Sequence, residues 1–103
     1  MVKIFIAATG APVCELAAHA RQVSAVVCHK GGKSVFATVG DDTFVNVWEF
    51  TGSKIENMEV KLLVSSRCPD LLLTGVVFGG LKMNSVVASV YDYKQILVWD
   101  DIL

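Results

Sequence analysis

Short apolar runs separated by small polar breaks fill this chain, and most of the runs have the period of a β-strand. Val2, Ile4 and Ile6 share one side of a run whose other side carries Lys3 and Phe5. Such alternation puts one face on a core and the other in solvent. Thr9-Gly10 breaks that run. Pro12 opens the next, Val13 to Leu16, where a missing backbone N–H is tolerated. Val23 to Cys28 is rich in β-branched residues, and His29-Lys30-Gly31-Gly32-Lys33 is a polar turn. Ser34 to Val39 predicts a strand, and Gly40-Asp41-Asp42 a tight reversal. From Thr43 to Phe50 the alternation is unbroken: Thr43, Val45, Val47 and Glu49 face one way, Phe44, Asn46, Trp48 and Phe50 the other. After a turn at Thr51-Gly52-Ser53-Lys54, Met58 to Val64 predicts a longer strand and Ser65 to Asp70 a loop. Leu71 to Phe78 is apolar on both sides, the pattern of a strand covered on both faces. Ser85 to Val90 and Gln95 to Trp99 complete the series, with turns at 79–84 and 91–94.

One segment supports two readings. Residues 14–26 contain Glu15-Leu16-Ala17-Ala18-His19-Ala20-Arg21-Gln22, mostly good helix formers, so local propensity alone predicts a helix. The hairpins on either side predict strands instead, and the all-strand pattern is the preferred expectation.

The pattern also repeats. Phe36-Ala37-Thr38-Val39-Gly40-Asp41-Asp42 through Val47-Trp48-Glu49 maps onto Val86-Val87-Ala88-Ser89-Val90-Tyr91-Asp92 through Val98-Trp99-Asp100. Repeats of about 40–50 residues are typical of four-stranded propeller blades.

On these residues the chain resembles the WD-repeat β-propeller family. Val47-Trp48-Glu49 and Val98-Trp99-Asp100 look like its signature dipeptide, and Ala18-His19 stands where the family has Gly-His. The resemblance covers most of the chain. It implies an all-β fold, a partial β-propeller of about two and a half four-stranded antiparallel blades, as one unit over 1–103. Residues 2–16 would be the last two strands of one blade, 22–64 a complete blade, and 71–100 three strands of a final one. It further implies a hydrogen-bonded set running from Trp48 through Thr38 and His19 to Asp42, with Trp99 as a second signature tryptophan. The last unit departs from the pattern. No His stands in the segment leading into Leu71, Asp92 lies one residue further from its Trp than Asp42 does, and Ala88 stands in the place of Thr38.

Composition narrows the chemistry. Nine basic and ten acidic residues give a net charge of −1, with no run of Lys and Arg that would mark nucleic-acid binding. The chain is 53% hydrophobic, greasy for its 103 residues. Cys14, Cys28 and Cys68 are odd in number and lack metal-site spacing, so reduced thiols in a cytoplasmic setting are expected. No apolar stretch is long enough for a membrane span. Gly31-Gly32-Lys33-Ser34 carries only the tail of a phosphate-binding loop. Val27 stands where its first Gly is needed, and a strand follows instead of a helix. No catalytic residue, cofactor or metal is expected.

The leading expectation is therefore a non-enzymatic protein–protein interaction scaffold. Its partners would be an unknown protein and the missing blades, or other copies of the chain supplying them. Arg21, Asp41, Arg67, Tyr91 and Tyr93 are candidate contacts on one rim, Arg and Tyr being favoured interface anchors. Two alternatives stand beside it. One is a small α/β enzyme domain using His19 and Asp42. The other is a purely structural fragment that associates with itself.

Overall fold

The computed structural model describes residues 2–5, 12–29, 34–51, 59–69, 71–79, 84–91 and 96–100. Nine strands run in chain order: β1 Val2–Phe5, β2 Pro12–Leu16, β3 Val23–Cys28, β4 Val35–Gly40, β5 Phe44–Thr51, β6 Glu59–Arg67, β7 Leu73–Gly79, β8 Ser85–Val90 and β9 Leu97–Trp99. Every strand pair is antiparallel, and every partner is the next strand in sequence. The pairs make a β1-β2 ribbon, a four-stranded sheet β3-β4-β5-β6 and a three-stranded sheet β7-β8-β9.

The described residues contain no helix. This corrects the α/β alternative. The helical propensity of 14–26 gives way to two ladders, Val2↔Leu16 in the ribbon and Cys28↔Phe36 in the four-stranded sheet. Pairing satisfies whole rows of backbone groups at once, which outweighs tenths of a kcal/mol per residue in intrinsic preference. The chain also stays paired beyond Val64, where a loop is expected. Val45 faces Ser66 and Phe44 faces Arg67, so β6 runs to the end of β5. A register shift at Val47/Trp48 leaves Leu63 without a partner of its own. The extra residue is a bulge.

Alternation along the four-stranded sheet sorts its side chains onto two faces. One carries Phe36 and Trp48 and packs against Val2, Ile4 and Leu16 of the ribbon. The other carries Val35, Ala37, Val39, Val45 and Val47 and packs against Leu73, Val76, Phe78, Val86, Ala88 and Val90 of the three-stranded sheet. Strand β4 is buried along its whole length because both faces are covered.

This layering corrects the fold expected from the resemblance. In a propeller the last sheet must come round to meet the first. Here the ribbon and the three-stranded sheet lie on opposite faces of the four-stranded sheet, and both larger sheets are open. There is no closed blade arrangement. The expectation of missing blades, or of other copies filling their places, is corrected too. The radius of gyration is 13.9 Å, close to the roughly 13 Å of a compact 100-residue domain. The core closes between this chain's own sheets. Among the described residues no helix is long and apolar enough to cross a membrane.

Candidate functional site

The most organised polar cluster is built from a bend, the strands β4 and β5 and the reversal between them. Gln22 O accepts the Asp41 N–H, and Gly40 O accepts that of Thr43 at 3.2 Å, which closes the β4–β5 reversal. Thr43 sits there with φ of 71°, a left-handed conformation that a β-branched residue rarely takes. The reversal aims Asp42 back at the bend carrying His19. Gly40 makes room for the ring. A Cβ at that position would lie 2.7 Å from two atoms of the imidazole, so only glycine lets His19 lie against the β4 backbone.

From this placement a chain of hydrogen bonds runs inward. His19 Nδ1 lies 2.8 Å from Asp42 Oδ1, and His19 Nε2 lies 2.7 Å from Thr38 Oγ1. Trp48 Nε1 donates to that same Thr38 oxygen at 3.0 Å. The indole can only donate, so Thr38 accepts from it and has its own proton free for Nε2 of His19 when the ring carries its proton on Nδ1 alone. His19 then donates from Nδ1 to Asp42. Each group in the series is thereby matched, and the described residues contain no buried side-chain polar atom without a partner.

Asp42 is the charged end of the series. Burial pushes its carboxyl up. The His19 bond, the backbone amides of Ala20 and Phe44 and, when the ring is protonated, the His19 charge together outweigh burial and hold it below the ordinary carboxylate range. The amide contacts measure 3.1 Å from Ala20 N and 3.3 Å from Phe44 N.

The structure thus brings His19, Thr38, Asp42 and Trp48 into one array. It leaves the candidate contact residues dispersed in role. Arg21 and Arg67 are exposed, Asp41 accepts from Ser24 Oγ at 2.9 Å, and Tyr91 is 68% exposed. Tyr93 lies outside the described residues. Trp99 donates to Ser66 Oγ of β6 at 3.1 Å, across the seam between the two larger sheets. A residue missed in the sequence is Asn46. Its Nδ2 donates to Ala18 O at 3.0 Å and its Oδ1 accepts from Ser65 Oγ at 2.6 Å, fastening the His19 bend to β5 and β6. An Asn between Val45 and Val47, in a strand interior where Asn is unfavoured, is the signal that could have found it.

Hydroxyl, imidazole and carboxylate in series have the connectivity of a nucleophilic triad. Access is what differs. Thr38 is 0% exposed and the His19 side chain is likewise 0% exposed. The Thr38 oxygen is already held between two nitrogens. Two grooves that border the sheets are lined by other residues. Among the described residues no group of His, Cys, Asp and Glu is placed to hold a metal. Cys68 is buried in the core, where burial pushes its thiol up and away from the reactive thiolate, and Cys28 is exposed.

Comparison with protein-family models, curated proteins and solved structures gives no match. The resemblance to the WD-repeat family therefore has no support in homology, and the open sheets stand against it. What the fold and the site define is an open-sheet, all-β domain with a sealed polar array.

Proposed function

We propose that this chain is a structural module, with no chemistry at His19–Asp42, that works by associating with itself. The sealing of Thr38 and His19 supports the first half. A hydroxyl nucleophile must meet its substrate, and a buried oxygen committed to two nitrogens has no open side. The array instead holds the 18–20 bend, β4 and β5 in one arrangement, as a fully satisfied buried network does. Large apolar side chains on the outer strands support the second half. Val26, Leu62, Val77 and Val98 are each close to half exposed. This association joins two domains that are each already folded.

Two measurements test the reading. A fluorophosphonate probe should leave Thr38 unlabelled, and generic esters should not be hydrolysed. Labelled Thr38, with activity lost in Thr38→Val, overturns the first half. Sedimentation should show a concentration-dependent species heavier than the monomer. A monomer at every concentration overturns the second.

A further inference from the structure

Outside the buried array, one hydroxyl stands apart. Among the described residues the exposed Ser and Thr are Ser24, Ser34, Ser65, Thr74 and Ser89. Ser24 alone of these follows an arginine by three residues, in Arg21-Gln22-Val23-Ser24. Arg21 and Gln22 are exposed as well. Strand β3 is an edge strand that pairs only with β4. Within it Val23 faces Gly40 and Ala25 faces Val39, so Ser24 is left without a cross-strand partner. A bulge on an edge strand re-aims its side chain, and that residue can be drawn outward without breaking a ladder on both sides. The Ser24 hydroxyl donates to Asp41 Oδ1 at 2.9 Å.

We infer that Ser24 is a phosphorylation site for a serine kinase that reads an arginine three residues ahead of its target, and that the phosphate loosens the reversal beside the buried array. Such a kinase offers carboxylates to the arginine, and a guanidinium meets a carboxylate in a bidentate, charge-assisted pair. In the step, Ser24 Oγ bonds to the terminal phosphorus of a nucleoside triphosphate. The bond from that phosphorus to its bridging oxygen breaks, the nucleoside diphosphate leaves, and the hydroxyl proton passes to the aspartate of the kinase. Thr38 is sealed against such a donor, whereas Ser24 is open to it. None of this depends on self-association.

The consequence follows from the charge. A phosphoserine carries about −1.5 to −2 at pH 7. It arises where Oγ now donates to a carboxylate at 2.9 Å, so a hydrogen bond is replaced by a repulsion. Asp41 is not free to retreat. Its amide donates to Gln22 O, which ties the reversal to the bend, and the next residue is Asp42, the anchor of His19. The load therefore falls on the reversal, where Thr43 already holds a φ of 71°. Asp41 is only partly exposed, so its repulsion is less screened than the attraction of the exposed Arg21.

The test is phosphorylation of the folded chain by an arginine-directed serine kinase with magnesium–ATP, the site being mapped by tandem mass spectrometry. The expected result is phosphate on Ser24, its loss in Ser24→Ala, and a rate about tenfold lower in Arg21→Ala. Phosphate only on other residues, or a rate indifferent to Arg21→Ala, overturns the site. Trp99→Phe, weakened in another sheet, should be phosphorylated at the wild-type rate. A rate rising about fivefold, in step with its unfolded population, overturns recognition of the folded domain. Hydrogen exchange reads the consequence. The phosphate should speed exchange of the Asp41 and Thr43 amides about tenfold, less so at high salt, and should do little in Asp41→Asn. Unchanged exchange in the phosphorylated wild type, or equal acceleration in Asp41→Asn, overturns the loosening and leaves the site standing.

Discussion

Thr38→Val is the sharpest probe of the buried array. Valine keeps the shape of threonine and removes only the oxygen, so no cavity forms. Two groups then lose their partner: the Trp48 indole N–H, held at 3.0 Å, and His19 Nε2, held at 2.7 Å. Both are enclosed, since His19 has a 0% exposed side chain and Trp48 is 8% exposed. Leaving a buried polar group unpaired costs about 1–3 kcal/mol. Two such groups, relaxing partly together, give roughly 2–5 kcal/mol, against a total stability of about 5–15 kcal/mol for a domain. Urea unfolding followed by far-ultraviolet circular dichroism reads the change as a lower midpoint at unchanged slope. Thr38→Ser is the control. It keeps the oxygen, drops one methyl and should cost about 1 kcal/mol. In the double variant Thr38→Val with Trp48→Phe the indole donor is gone, so the combined loss should fall short of the two single losses added. A Thr38→Val protein within about 0.5 kcal/mol of wild type would refute the reasoning, because the oxygen would then hold nothing together.

Gly40→Ala forces a Cβ to within 2.7 Å of the His19 ring and should cost at least as much as Thr38→Val, read by the same denaturation. Thr43→Gly relieves the positive φ of 71° and should stabilise the domain by about 0.5–1 kcal/mol, seen as a higher melting temperature. Asp42 has a depressed carboxyl, so its stabilising effect is complete above the unfolded value of about 3.9 and drains away as pH falls through the folded one. Asp42→Asn should therefore lower stability at pH 7 and flatten the acid limb of a stability–pH curve; an unchanged limb would remove Asp42 from the account. Trp99→Phe loses the bond to Ser66 and should cost about 1 kcal/mol, with quenching of Trp48 by iodide unchanged.

The strands were largely legible in the sequence because their signal is local. The unbroken alternation from Thr43 to Phe50 separates Val45 and Val47 from Trp48 and Phe50, and these lie in different core clusters. What the sequence hid is how the sheets stack, which depends on contacts between residues far apart in the chain. The Trp48 and Trp99 repeats suggested a ring, yet local repetition fixes neither the angle between successive sheets nor whether the last meets the first. The strand end at Arg67 was hidden for a related reason. Ser65 and Ser66 read as loop residues, but each finds a partner in another strand, Asn46 and Trp99 respectively. The role of Asn46 was invisible because its acceptor, Ala18 O, belongs to a bend whose position no propensity sets.

Since each strand pairs only with its neighbour in sequence, each sheet can form or come apart without threading through another. The layers are then natural units of partial opening. Amide protons of β4, covered on both sides, should exchange most slowly with deuterium, and those of the β1-β2 ribbon and of β9 fastest. Trp48 lies under the ribbon and Trp99 against β6, so the two indoles would report on different openings. The molecule carries a separate optical reporter for each of its two seams.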